Sequence, residues 1–397
     1  MSLLVSLTIG ASALLLGLLA LVLLIEVLAA IVRRPSDLVT SRPGHRPRVA
    51  VLIPAHNEST CIVPTLDDVR QQLSPGDRLL VVADNCTDDT ASVAAQAGAH
   101  VVCRNDTSRL GKGYALDFGI RHLQSDPPEV LIIIDADCRV APGSIEQLST
   151  TAWESKRPAQ SKNFMLAPKN SPPEKRVAEF TWRIKNFIRP LGLSNLGLPC
   201  QLLGTGMAFP WALTRHVAFA SGALAEDIET GLELARQRHP ALFCPSAMVS
   251  SDFPSTLEGT RSQRRRWEGG HLAIIKTAPF LIVKGFTSGD KNLLSLAVDI
   301  CIPPLSLLAI AIWLVTFAAV LLTIWTPYTA PLAICAGDLL VMLAALSLSW
   351  WVYGRDVIPA KHLYRLVAFF LSKLPLYLDL LVRRTSTQWT RTRRGGP

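Results

Sequence analysis

Paired cysteines are what this sequence most plainly lacks. Its eight cysteines (Cys61, Cys86, Cys103, Cys138, Cys200, Cys244, Cys301 and Cys335) are scattered over 397 residues, and none stands in a C-x-x-C pair. That pattern indicates neither a zinc site nor a disulfide framework. Thiols spread through expected strands and helices point to a reducing compartment. Also missing are the G-x-x-x-x-G-K-[ST] spacing of a phosphate loop, any internal repeat and any low-complexity segment. Acids are the minority charge: 31 Asp and Glu against 40 Lys and Arg leave a formal +9. The basic excess sits beside long apolar runs, at Arg33-Arg34, Arg42, Arg46 and Arg48 and again at Arg383-Arg384 and Arg391 to Arg394. This placement fits the positive-inside bias and attraction to anionic lipid, so membrane lipid is an expected partner and nucleic acid is not.

The first apolar run, Leu3 to Val32, has Glu26 as its only charge and exceeds the roughly 20 residues a bilayer requires. Its start is not basic and its core is too long for a cleaved signal peptide, so residues 1–34 read as an uncleaved anchor. Glu26 lies near the interface or pairs with another helix. From Asn292 onward the chain is apolar again. Leu293 to Trp325, kinked at Pro303-Pro304, and Tyr328 to Tyr353 read as two spans, with Trp325, Tyr328, Trp350, Trp351 and Tyr353 at their ends. His362 to Val382 holds Arg365, Lys373 and Pro375 and reads as an interfacial helix; a third span would export the basic tail. The expected divisions are therefore an anchor at 1–34, a soluble domain at 46–270 and an interfacial segment at 271–292. A membrane region at 293–382 and a basic tail at 383–397 complete the chain.

Within the soluble part, strands and helices alternate. Strands are expected at Arg48 to Ile53, Arg78 to Ala83, His100 to Arg104 and Val130 to Asp135, with helices at Ser59 to Leu73, Asp88 to Ala97 and Gly113 to Leu123. That order implies an α/β domain on a parallel sheet. Pro158 to Pro173 reads as a strand and a loop, Glu174 to Ile188 as an amphipathic helix, Ala225 to Arg238 as a helix and Ala241 to Ser250 as a strand.

Leu131-Ile132-Ile133-Ile134 is apolar enough to be buried on both faces, and it runs into Asp135-Ala136-Asp137. A strand of this kind delivers its acids to the carboxyl edge of the sheet, where open α/β folds bind ligands. Two residues apart in extended chain, Asp135 and Asp137 would lie on one side and hold a hard divalent cation, Mg2+ or Mn2+. Solvated acids at a strand-end turn are the plainer alternative. Pro54-Ala55-His56-Asn57-Glu58 follows the first strand and offers backbone N–H groups, Asn57 and Glu58 to a phosphate or base, or else forms a simple capped turn. Asp84 follows the second strand, where an acid reads the base or ribose of a nucleotide; Asp88 is expected to cap the next helix. Lys112, between Gly111 and Gly113 before a helix N-terminus, is placed to reach a diphosphate, although such a lysine is usually solvated. Asp227 opens a helix and can accept a proton from a hydroxyl, or merely complement the helix dipole. Gln263-Arg264-Arg265-Arg266-Trp267 is a basic patch facing lipid or, on one helical face, Gln263, Arg266 and Trp267 meet a phosphate and a sugar ring.

Taken together and in this order, these stretches resemble the membrane-bound branch of glycosyltransferase family 2, which includes cellulose, chitin and hyaluronan synthases and bacterial exopolysaccharide glycosyltransferases. The resemblance covers Arg48 to Trp267, with D-x-D and Q-x-x-R-W as its strong motifs. It implies a glycosyltransferase-A-type nucleotide-sugar-binding α/β domain flanked by transmembrane helices. By position it implies that Pro54, Ala55, Asn57, Glu58, Asp84, Lys112, Asp135 and Arg266 bind the nucleotide sugar, with Asp84 on the uridine. Asp135 and Asp137 would hold the metal, and Asp227 would be the general base. Gln263 and Trp267, with the Gly204, Thr205 and Gly206 stretch, would face a lipid-linked or glycan acceptor. One span before the domain and two or three after it favour single transfer over a processive synthase. A sugar nucleotidyltransferase and a non-catalytic membrane scaffold are the alternatives from other classes. The expected home is a bacterial inner membrane, with the domain in the cytoplasm.

Overall fold

The computed structural model of the chain describes residues 2–32, 45–168, 171–222, 225–254 and 256–382. Residues 33–44, with Arg33, Arg34 and Arg42, and the expected basic tail at 383–397 lie outside the described residues. Helix α1 (Ser2–Ile31) precedes β1 (Val49–Ala55), α2 (Ile62–Arg70), β2 (Arg78–Asp84), α3 (Thr90–Gln96), β3 (His100–Arg104), α4 (Lys112–Leu123) and β4 (Val130–Ile133). There follow β5 (Arg139–Val140), α5 (Ser144–Ser155), β6 (Ala159–Leu166) and α6 (Pro173–Arg183). A π-helical stretch, Ile184–Ile188, joins α6 to α7 (Arg189–Asn195), after which come β7 (Met207–Pro210), α8 (Trp211–Thr214), α9 (Glu226–Arg236) and β8 (Leu242–Asp252). The described residues that follow are mostly helical: α10 (Leu257–Ile275), α11 (Ala278–Thr287), α12 (Lys291–Cys301), α13 (Leu305–Trp325), α14 (Ala330–Tyr353), a 3-10 turn at Ala360–His362, α15 (Arg365–Leu371) and α16 (Leu374–Val382).

One eight-stranded sheet runs in the order β3-β2-β1-β4-β7-β6-β8-β5. β1 pairs in parallel with β2 and β4, and β7 joins β4 antiparallel. The apolar runs explain this centre: Val49 to Ile53 and Val130 to Ile133 have no exposed surface, as strands covered by helices on both faces require. Strand order reverses between β1 and β4, so their carboxyl ends open a crevice there. Pro54-Ala55, Asp84 and Asp135 all stand at that edge.

Among the described residues, three helices are long and apolar enough to cross a membrane: α1, α13 and α14. The expected kinked span from Leu293 to Trp325 is instead two helices. Ile302 is extended ahead of Pro303-Pro304 (φ −71°, ψ 108°), as a residue before proline prefers, and it divides α12 from α13. Leu293, Leu296, Ala297 and Ile300 of α12 pack on Ile228, Leu232 and Ala235 of α9 rather than on the spans. The segment from His362 to Val382 forms α15 and α16, of 7 and 9 residues, instead of one helix. The boundary expected at residue 270 falls inside α10.

Candidate active site

β4 ends at Ile133, two residues earlier than expected, so Asp135-Ala136-Asp137 forms a turn rather than extended chain. The turn, closed by Cys138 N–H donating to the Asp135 carbonyl (3.3 Å), brings the two acids together where strand alternation was expected to. Ligand atoms of Asp135, Asp137 and Cys138 lie within 4.8 Å of one another. Burial, then repulsion from Asp137 and Asp135, hold the Cys138 thiol well above its usual range. It therefore stays protonated, and the hard ligands are the two carboxylates. Such a pair fits Mg2+ or Mn2+, which complete their shells with phosphate oxygens and water.

On the β1 side a pocket of about 160 Å³ is lined by Pro54, Ala55, His56, Glu58, Asp84 and Lys112, with Asp135, Asp137 and Arg266. Asp84 is nearly enclosed; its Oδ1 accepts from Arg104 Nη1 (2.6 Å) and Asn85 Nδ2 (3.0 Å). Burial raises its carboxyl above the ordinary value, and Arg104 opposes that rise. Asn57 does not line this pocket. At φ 55° it adopts the left-handed conformation, and its side chain staples the loop after β1 to the loop after β2. Its Oδ1 accepts from Thr87 N (2.7 Å) and Asp88 N (3.3 Å), while Nδ2 donates to Thr87 Oγ1 (3.1 Å). The N-cap of α3 is Asp89 and not, as expected, Asp88, although the Asp88 carboxylate accepts from the N–H of Thr90, the first residue of that helix (3.0 Å). His56, given no role from sequence, donates from Nδ1 to the Asp84 carbonyl (2.7 Å) and lines the pocket.

A second pocket, of about 170 Å³, lies toward α9 and α10 and is lined by Gly204, Thr205, Asp227, Gln263, Trp267 and Lys185 among others. Four residues line both pockets: Lys112, Asp135, Asp137 and Arg266. Asp84 and Asp227 thus stand in different pockets joined across this shared wall. Lys112 Nζ donates to Asp135 Oδ1 (2.5 Å) and to the Gly204 carbonyl (2.6 Å). Burial works against its ammonium, but Asp135, Glu226 and Asp227 outweigh burial and hold its pKa above the ordinary value. Gly204 (φ 84°) and Gly206 (φ 65°) bracket Thr205, whose hydroxyl accepts from Asp135 N (3.0 Å). Gly206 lines neither pocket. Its N–H donates to the Ile133 carbonyl (2.9 Å), and a Cβ there would strike Ser161 Oγ.

Asp227, the second residue of α9, is half-buried in the wall. Burial and the adjacent Glu226 push its pKa up to about 6, against the pull of Lys112, the Ile228 N–H and Lys185. On α10 the three arginines go three ways. Arg264 lies over Phe369 (5.3 Å to the centroid), Arg265 pairs with Asp379 (3.0 Å), and Arg266 enters the shared wall. A single lipid-facing patch is therefore not what they form. Gln263 is buried, and Trp267 packs against Trp182 with centroids 4.7 Å apart.

Sequence reasoning passed over Asn163, Trp182, Lys185 and Asn186, all in the second pocket. Lys185 and Asn186 project from the π-helical stretch, a distortion frequent at functional sites but without a signature in residue order.

Comparison with known proteins matches residues 47–270 to the family described as "Glycosyltransferase like family 2". The probable glycosyltransferase YdaM of Bacillus subtilis is 26% identical over 257 residues, 58% of this chain and 56% of YdaM. The uncharacterized glycosyltransferase Mb0553 of Mycobacterium bovis is 38% identical over 100 residues, 25% of this chain and 41% of Mb0553. The chain thus spans about half the length of these two relatives, or less. Among solved structures, the mannosyltransferase PcManGT of Pyrobaculum calidifontis, in complex with GDP-Man and Mn2+, superposes with a TM-score of 0.51 at 19% identity, covering 89% of this chain and 100% of that one. This is a likeness of fold.

Proposed function

The chain belongs to glycosyltransferase-like family 2 and has a glycosyltransferase-A-like nucleotide-sugar fold, and from that premise we propose that it is an inverting hexosyltransferase acting at a membrane. The donor is a nucleotide-diphosphate sugar, for which we expect UDP. The acceptor is a lipid-linked or glycan hydroxyl in cell-surface or exopolysaccharide synthesis. One observation carries this reading: two pockets meet at Lys112, Asp135, Asp137 and Arg266, with Asp227 on the far side. A donor lying across that wall would place its nucleoside against Asp84 and its sugar toward Asp227.

In the proposed reaction the acceptor oxygen attacks the anomeric carbon in line, and the bond from that carbon to the diphosphate breaks. The hydroxyl proton passes to Asp227. One base and no covalent intermediate give inversion. Arg266 lies where negative charge builds on the departing diphosphate and stabilises it. Asp135 and Asp137 would hold Mg2+ or Mn2+, which supplies further neutralisation of that charge. Lys112 keeps Asp135 oriented through their ion pair. Trp267, packed at a tilt against Trp182, offers a flat face to a sugar ring.

Three helices of spanning length support membrane placement, and eight free cysteines support a cytoplasmic domain. The test is an assay of the full chain in detergent with Mn2+, a panel of nucleotide sugars and membrane lipid extract. Nucleoside diphosphate should appear only when donor, acceptor and metal are all present. Release of pyrophosphate from a nucleoside triphosphate instead would establish nucleotidyl transfer and refute the proposal.

A further inference from the structure

Beside the second pocket, and sharing Trp182, Lys185 and Trp267 with it, lies a separate cavity of about 110 Å³ between the domain and the spans. Its walls include Leu23 of α1 and Leu305 and Ser306 at the start of α13, so it borders two of the helices long enough to cross a membrane. Its charged lining is mostly cationic: Lys185, Arg189, Arg264 and Lys373 against Glu268. Two of those cations are already matched. Arg189 pairs with Glu26 (2.7 Å) and Asp299 (2.5 Å), and Lys373 pairs with Glu268 (2.7 Å).

Lys185 and Arg264 form no ion pair or hydrogen bond with any of the described residues. Burial lowers the pKa of both; Asp227, Glu268 and Asp299 counter it for Lys185, and Glu268 does so for Arg264. Two cations at the edge of an apolar region, with Asp227, Glu268 and Asp299 nearby but none within ion-pair distance, leave a place for an anion. A third group adds to the pattern. His271, 7% exposed, shares its Nε2 proton with the Ile300 carbonyl (3.1 Å), leaving Nδ1 as an acceptor with no partner among the described residues. A hydroxyl would satisfy it. Further along α13 lies an apolar groove of about 770 Å³, which shares no lining residue with the cavity; it begins at Ala309, one turn beyond Leu305, and includes Ile312 and Phe370. Phe369 in the cavity and Phe370 in the groove have centroids 6.1 Å apart.

We propose that this cavity is the acceptor's phosphate subsite: Lys185 and Arg264 hold the phosphate of a membrane lipid, His271 Nδ1 accepts a head-group hydroxyl, and the hydrocarbon lies along the α13 groove. The inference rests on the transferase reading and names its acceptor class, a lipid phosphate bearing a polyol or sugar. Lys185 lines both spaces, so a lipid held there by its phosphate presents the adjoining hydroxyl to Asp227.

The test is calorimetric titration of the full chain in a neutral sugar detergent with four probes. Farnesylphosphoryl glucose and dihexanoylphosphatidylglycerol carry a lipid phosphate bearing a sugar or polyol, dihexanoylglycerol has no phosphate, and inorganic phosphate has no lipid. Both lipid phosphates should bind at least about tenfold tighter than either other probe, as charge-assisted phosphate contacts in a partly buried site imply. The tighter of the two assigns the source, an isoprenoid carrier or a phosphoglyceride. Lys185→Met and Arg264→Met should each weaken that binding by about tenfold, and Lys185→Arg should restore it. Affinity for UDP with Mn2+, measured on the same samples, reports that the fold and the donor pocket persist. Equal binding of dihexanoylglycerol or inorganic phosphate, or wild-type lipid-phosphate affinity in both methionine variants, overturns the proposal. Loss of UDP binding by the unaltered chain would strike the donor assignment and not this cavity.

Discussion

At Asp227, burial and the neighbouring Glu226 both favour the protonated carboxyl, which therefore titrates near 6 instead of in the ordinary aspartate range. A base must be ionised to act, so kcat/KM for transfer should rise with pH through about 6 and level off above it. The stability consequence has the opposite sign. A carboxyl whose folded pKa lies above its ordinary value of 3.8 favours folding at low pH, and that contribution is lost as pH climbs through about 6. Asp227→Asn should therefore lower transfer by about two to four orders of magnitude while raising the thermal midpoint at pH 7.5, an increase that disappears below about pH 4. Donor binding by calorimetry should persist in that variant. Asp137→Ala should remove the response of that binding to Mn2+, with little change in the metal-free thermal midpoint. The same scale shows what residue types reveal and conceal. Asp135 and Asp137 were legible because an apolar run that ends in acids marks the carboxyl edge of a buried strand. Asn57 was not, since an asparagine after a strand reads equally well as a ligand contact or, as here, as a staple to Thr87 and Asp88.

At the scale of elements, the alternation of apolar strands and amphipathic helices made the parallel half of the sheet readable, because β1, β2 and β4 are covered on both faces. The antiparallel half gave weaker signals. β8 pairs with β6 in parallel through a register shift at Ser161 and Lys162, and no local pattern encodes such a shift. The apolar residues of α12 resembled part of a span because composition does not say what covers a helix; α9 does so here. The π-helical turn between α6 and α7 was hidden for a related reason, since packing and not propensity creates it. Beyond it, Gly192 of α7 lies so close to α1 that a Cβ would strike the Glu26 carbonyl. Backbone cannot yield as a side-chain tip can. Gly192→Val should therefore displace α1 and cost about 1–3 kcal/mol, measured as a fall in the thermal midpoint in detergent.

Over the whole molecule, the candidate spans and the sheet domain are joined through buried charge. Arg189 of α7 bonds Glu26 of α1 and Asp299 of α12, and Gln201 donates to Asp299 Oδ2 (3.1 Å). Glu26, an oddity in an apolar run, is thus one end of a bridge from span to domain. Arg189→Met would leave two buried acids without their cation and should destabilise the chain by about 3–5 kcal/mol. Glu26→Gln added to it should recover part of that loss, which thermal unfolding of the two variants would show. The bridge fixes α1 against α7, and the π-helical stretch just before α7 carries Lys185 into the second pocket.

The most direct test of the proposed transfer is single-turnover release of nucleoside diphosphate by the full chain and by Asp227→Asn, each loaded with Mn2+ and donor before acceptor lipid is added. Rapid release from the unaltered chain, and near-silence from an asparagine variant that still binds donor, is the expected result. Equal release from both would contradict it.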